Sequence, residues 1–125
     1  MNEAVLFFFN KHLEALPIYQ RLEASILERV PTAGVRVQKT QISFCQKRLF
    51  ACASFNPARK KALRPAVWLT VSFGLGYRLD SPRVDAATGP YPDRWTHHVT
   101  VASPEEIDQE LLGWIEEASQ FSLNK

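Results

Sequence analysis

Two adjacent histidines, His97 and His98, and two cysteines, Cys45 and Cys52, are the side chains here best suited to acid–base or nucleophilic work. An imidazole titrates near neutrality and can act as a general base, and a thiol within its reach is a nucleophile. Neighbouring residues on a strand point to opposite faces, so His97 and His98 cannot serve one metal or one substrate. Strand parity sends His97 to the apolar side as a core histidine. His98 goes to the side that carries Cys45 and Cys52, which makes it the acid–base candidate. Neither cysteine has the close-spaced partner of a zinc site, so no metal is expected. Gly74-Leu75-Gly76 lacks the full pattern of a phosphate loop, and no cofactor is expected.

The second chemical feature is charge. Ten bases lie between Arg29 and Arg78 (Arg29, Arg36, Lys39, Lys47, Arg48, Arg59, Lys60, Lys61, Arg64 and Arg78), with no Asp or Glu among them. Residues 80 to 125 hold nine acids against three bases, and residues 1 to 28 four against two, so a formal charge of +2 conceals a strongly basic centre. Such asymmetry implies an anionic partner or an internally complementary dipole. Phosphate contacts from Lys and Arg are what nucleic-acid binding needs, and Trp68 or Phe50 would add base stacking. The competing reading is a solvated basic sheet edge that balances the acidic C-terminal helix. No nucleic-acid module signature is present. Arg83 and Arg94 are anion-ligand candidates, or else partners of Asp80, Asp85 and Asp93.

These residues must be held by helices and strands. Val5, Phe8, Phe9 and Leu13, then Tyr19, Leu22, Ile26 and Val30, recur at helical spacing. Pro17 suits a helix's first turn, so the pattern predicts a short helix near 2–13, a break, and a longer helix near 17–29. Ile42 and Phe44, then Ala51 and Ala53, alternate as in a half-buried hairpin. A two-residue turn at Lys47-Arg48 would pair Gln46 with Leu49, Phe44 with Ala51 and Ile42 with Ala53, although Lys-Arg is a poor pair for positive φ. Asn56 to Pro65 reads as a basic loop. Val67, Leu69, Val71 and Phe73 define a third strand, and residues 95 to 102 a fourth. The stretch 74–93 reads as a long loop, with part of it extending the third strand. Ser103-Pro104-Glu105-Glu106 predicts a helix start with Ser103 as N-cap, leading to a helix that buries Ile107, Leu111, Trp114, Ile115 and Ala118.

Helices on one face of an antiparallel sheet give an α+β two-layer sandwich: N-terminal helices, a meander of four to five strands, and a C-terminal helix. At 125 residues the chain reads as one domain, 1–125. The apolar run Ala4 to Phe9 is too short for a membrane span and lacks a basic flank, so no membrane partner is expected, and two cysteines fit a reducing cytoplasm. The second sheet face has no predicted cover. It would carry Gln41, Ser43, Cys45, Phe50, Cys52, Ser54, Trp68, Thr70, Ser72, Thr96, His98 and Thr100, either as the floor of a ligand groove or as a homodimer contact.

The chain resembles a bacterial family known as domain of unknown function 5655. The resemblance rests on Val37 to Phe44, on Ser81-Pro82-Arg83, on Tyr91 to Val99, on Glu105 to Asp108 and on Leu112 to Ala118. It implies no established activity and no catalytic residue. It draws Lys39, Thr40, Gln41, Arg83 and the run Arg94 to His98 together as motif residues. The leading expectation is a binding module for an anionic small molecule or nucleic acid. In it Lys39, Arg83 and Arg94 neutralise charge, Thr96, His98 and Tyr91 orient the ligand, and Thr40, Gln41 and Trp68 are further ligand-binding residues. It requires these residues to converge at one end of the sheet. The alternatives are a protein-interaction or homodimerisation module using the open sheet face, and an enzyme using His98 as acid or base with Cys45, Cys52 or Thr96 in reach.

Overall fold

The computed structural model describes residues 2–124, Pro90 through its backbone alone. Helix α1 (Glu3–Phe8) starts where the Asn2 side chain accepts the Ala4 N–H at 2.7 Å. A 3₁₀ turn at Leu13–Ala15 leads into α2 (Leu16–Arg29), with Pro17 in its first turn, where the absent N–H is not missed. Ile18, Tyr19, Leu22 and Ile26 form the buried stripe of α2.

Six antiparallel strands follow: β1 (Gly34–Val37), β2 (Gln41–Cys45), β3 (Leu49–Ser54), β4 (Leu69–Leu75), β5 (Ala86–Tyr91) and β6 (Arg94–Val101). The order across the sheet is β1-β2-β3-β4-β6-β5, one strand more than the upper expectation. The pattern places only four strands, so β1 is additional, and so is β5, which lies inside the stretch read as a loop. Its sequence Ala-Ala-Thr-Gly-Pro-Tyr has no apolar alternation, and it is held by pairing with β6. Because β6 returns between β4 and β5, His98 lies beside Ser72 of β4, while Cys52 is one strand further away.

The hairpin register is as expected for Phe44 with Ala51 and Ile42 with Ala53, but its turn is not. Gln46 donates to the Arg48 carbonyl, Cys45 pairs with Leu49, and Phe50 is the extra residue of a β-bulge. No described residue has a positive φ, so a Lys47-Arg48 primed turn is excluded and the chain closes the hairpin with a longer loop and a bulge. The bulge also corrects the placement of Phe50. It is 2% exposed and belongs to the hydrophobic core, not to the polar sheet face.

One sheet face carries Ile42, Phe44, Ala51, Ala53, Val71, Phe73, Val99 and Val101 against the helices. His97 sits among them, stacked on Phe73 with centroids 5.2 Å apart. Its Nε2 accepts the Leu79 backbone N–H at 2.8 Å, which fixes a neutral ring with the proton on Nδ1. The start of the last helix also differs from expectation. Pro104–Glu106 forms a 3₁₀ turn, and α3 (Gln109–Leu123) begins later, where the Asp108 carboxylate accepts the Leu111 N–H at 3.0 Å. Ser103 makes no side-chain cap bond. Two capping signals compete within six residues, and Ile107, buried in the core with non-helical backbone angles, separates them. Among the described residues no helix is long and apolar enough to cross a membrane.

Candidate functional site

Register places the expected site residues. Gln41, Ser54, Thr70 and Thr100 form one row across the polar face. Arg36, Ser43, Cys52, Ser72, His98 and Ala86 form the next. Lys39 and Thr40 occupy the β1–β2 turn, at the end of the sheet where the first row lies. Arg94 begins β6 at the opposite end. From Thr100 to Arg94 is six residues along β6, roughly 20 Å at 3.3 Å per residue, and β2 is three strand spacings from β6. Lys39, Thr40 and Gln41 therefore do not meet Tyr91, Arg94 or Thr96. The guanidinium of Arg94 instead lies 5.6 Å from the Tyr91 ring centroid.

Arg83 points elsewhere again. Its Nη1 donates to both oxygens of Asp108, at 2.8 and 3.0 Å, and to Glu110 at 2.9 Å. Its Nη2 donates to the Glu106 carbonyl, and its plane lies 5.8 Å from the Trp114 ring. The carboxylates it meets belong to α3 and its cap, and none of Asp80, Asp85 or Asp93 is among its partners. Arg83 clamps the 76–85 segment to the start of α3.

The polar face is covered to an extent the strand pattern did not indicate. Ser43, Ser54, Thr70 and Thr100 are buried, and Ser72 is 6% exposed. Thr70 Oγ1 donates to the Asn56 carbonyl and Ser54 Oγ accepts the Asn56 N–H, so the basic loop after β3 leaves across this face. Arg59 then reaches Asp85 on the far side of β6, with Nε 2.8 Å from Oδ1. The other oxygen of Asp85 accepts the Thr100 N–H at 2.7 Å. Next to β1, Gln41 donates to Ser43 Oγ, which donates to Gln38.

At the centre of the face Ser72 Oγ lies 2.7 Å from His98 Nδ1. A hydroxyl and an imidazole at that distance make the first half of a nucleophile–base unit. The second half is missing: among the described residues no group bonds His98 Nε2 to orient the ring. Burial lowers the pKa of His98, which keeps it neutral. The Cys–His couple is not formed, since β4 stands between Cys52 and His98, two strand spacings or roughly 10 Å apart. Burial also pushes the Cys52 thiol up, against the opposing pull of the Ser72 hydroxyl, so it is no thiolate at neutral pH. Ser72 is the partner that strand patterns missed. It has the same parity as His98, and only the sheet order makes the two neighbours.

Cations and rings meet at the sheet end that holds the β1–β2 turn, and also at the opposite end, where Tyr77, Arg78, Tyr91 and Arg94 are exposed. Phe8, Lys39, Thr40, Phe55 and Asn56 line a hollow of about 240 Å³. It adjoins a larger one of about 860 Å³, lined by Phe7, Lys11, Val37 and Gln38 among others, with Phe8 and Lys39 common to both. Phe55 carries the ring of Trp68 edge-on at 5.8 Å and that of His12 at 4.3 Å. Arg64 lies 5.5 Å from the Trp68 centroid. Trp68 is thus packed between Phe55 and Arg64 and only partly exposed. A third hollow, of about 400 Å³ beside β5, sets Asp80 and Asp85 against Arg78, so it is not cationic. Among the described residues no group of His, Cys, Asp and Glu could hold a metal ion.

Fold and surface together define a two-layer α+β sandwich with one apolar sheet face, one polar face strapped by a basic loop, and a cationic, aromatic end. The family model described as Domain of unknown function (DUF5655) matches residues 6–122, and the chain belongs to that family. No curated protein and no solved structure shows significant similarity to it.

Proposed function

We propose that this domain binds a phosphate-bearing polyanion, single-stranded nucleic acid, along the sheet end formed by the β1–β2 turn and the basic loop. One observation carries the reading. Of the ten bases between Arg29 and Arg78, only Arg29 and Arg59 have a carboxylate within 4.0 Å among the described residues. Among the described residues the acidic helix α3 ion-pairs with only one base of this block, through Glu116 and Arg29. A basic surface that served to balance α3 would be paired with it, and this one is left to an external anion. Lys39, Lys60 and Lys61 are the exposed phosphate contacts, and Phe7, 77% exposed, is the ring most open to base stacking, while Phe8, Phe55 and Trp68 are partly buried. Two unpaired cysteines suit action in a reducing cytoplasm.

Fluorescence anisotropy with labelled single-stranded DNA and RNA oligonucleotides tests this. Affinity should fall steeply between about 50 and 200 mM salt, and Lys60→Glu with Lys61→Glu should flatten the salt slope by about two phosphate contacts. Absence of binding at the lower salt, or binding indifferent to both salt and the lysine reversals, refutes it.

A further inference from the structure

We propose that the free edge of β1 receives an extended, acidic–apolar peptide strand from a partner protein. The sheet has two edges. On β5 the edge is interrupted: its sequence contains Gly89 and Pro90, its pairing with β6 is irregular between Thr88 and Tyr91, and proline has no N–H to donate. β1 is regular, pairing residue for residue with β2 from Gly34–Cys45 to Val37–Ile42. Gln38 donates to the Gln41 carbonyl in the same register, so hydrogen bonds to β2 fall at Arg36 and Gly34 by the two-residue alternation of an antiparallel ladder. The N–H and C=O groups of Val35 and Val37 therefore face outward. No partner for them exists among the described residues.

Hollows flank this edge at both ends. One, of about 620 Å³, is lined by Val35, Arg36, Lys47 and Leu123 among others. The other is the 860 Å³ hollow beside Val37, where Phe7 is 77% exposed. A strand added to β1 would hydrogen-bond at Val35 and Val37. Its side chains opposite those two residues would turn to the helix side of the sheet, and the residue between them to the polar side, opposite Arg36. The complement is an apolar–acidic–apolar run. Lys11 and Lys47 at the two ends add to the preference for acids, with Glu3 the one acid in either lining.

The same register argues against a second copy of this chain as the occupant. Antiparallel β1–β1 pairing through Val35 and Val37 would set Arg36 directly opposite its own counterpart, and like charges in that position repel. Strand addition with alternating side-chain pockets is an established physical mode of peptide recognition, and here charge selects the partner.

The test uses a fluorescein-labelled peptide of alternating valine and glutamate, its counterpart with lysine for glutamate, and the full chain. The glutamate peptide should bind and the lysine peptide should not. Val35→Pro removes one outward N–H and leaves the β1–β2 ladder intact, and should weaken binding about fivefold or more, the net worth of one hydrogen bond. Arg36→Glu should reverse the preference in favour of the lysine peptide. Arg36→Glu keeps the test decisive should Val35→Pro fail to fold, because a surface charge reversal spares the core. Equal binding of both peptides, no binding of either, or indifference to Arg36→Glu overturns the proposal. So does a concentration-dependent dimer that Val35→Pro dissociates, since the edge would then belong to a second copy.

Discussion

Replacing Arg83 with alanine removes the clamp between the 76–85 segment and α3, and its effect can be worked from the contacts. The guanidinium makes ion pairs with Asp108 at 2.8 Å and Glu110 at 2.9 Å, a bond to the Glu106 carbonyl, and a cation–π contact with Trp114. The two carboxylates are about half exposed, at 46% and 56%, so each pair contributes well under 1 kcal/mol after screening. A charged bond to a carbonyl contributes about 1.5 kcal/mol and the ring contact about 0.5 kcal/mol, each at the low end for a partly exposed site. Arg83→Ala should therefore cost roughly 2 kcal/mol. At about 2.1 cal/mol/K per residue over 125 residues, the melting temperature falls by about 8 °C. Thermal unfolding followed by circular dichroism reads this directly. The variant should also lose part of its acid sensitivity. Burial pushes the Asp108 carboxyl up, but the Leu111 N–H and Arg83 outweigh it and hold it below its usual 3.8. That stabilisation is present above 3.8 and is lost as pH falls through the folded value, so removing Arg83 flattens the decline at the acid end. An Arg83→Ala protein with unchanged melting temperature and abolished oligonucleotide binding would refute the clamp and return Arg83 to the ligand.

Histidine protonation gives a second prediction. Burial lowers the pKa of His97, with Arg78 and His98 adding to the effect against the pull of the Phe73 carbonyl, so its neutral-form stabilisation is complete above 6.5 and declines as pH falls below it. Urea unfolding should show that decline at no more than about 1.4 kcal/mol per pH unit for this group, and His97→Gln should remove it. His98, also lowered by burial, should keep its share in that variant, and an unaltered profile would contradict the Leu79 bond as the stabilising contact. Glycines offer a paired test: Gly89→Ala puts a methyl 2.6 Å from the Trp95 ring, while at Gly113 nothing lies within 4 Å. The first should destabilise by about 1–3 kcal/mol, and the second should stabilise α3 by about 0.5–1 kcal/mol, both read from melting temperatures.

How far the sequence foretold the structure depended on the range of the interaction involved. The α2 stripe, the pairing of Phe44 with Ala51 and the burial of His97 follow from periodicities of 3.6 and 2 within a few residues. Where two local signals competed, as Ser103 and Asp108 did for the start of α3, the choice fell to tertiary packing at Ile107. The Phe50 bulge followed from a turn sequence unable to take positive φ, a weakness visible at Lys47-Arg48 although its remedy was not. Strand order lay beyond any local pattern. Without it the pairing of Ser72 with His98, the separation of Cys52 from His98, and the distance between Lys39 and Arg94 could not be read. Cover on the polar face was missed for a related reason, since the basic loop is tied down by Asn56 and Arg59 through contacts to strands distant in sequence.

The unequal edges of the sheet bear on how the protein fails as well as on what it meets. A strand ladder propagates only if each added unit offers a fresh edge, and β5, broken at Gly89-Pro90, offers no continuous one. Chains that join through β1 use up the regular edge on both sides. Edge pairing among folded molecules therefore terminates at two, and fibril growth requires the native sheet to come apart first. Concentrated native protein should become cloudy through loose surface association well before it forms ordered, dye-binding filaments.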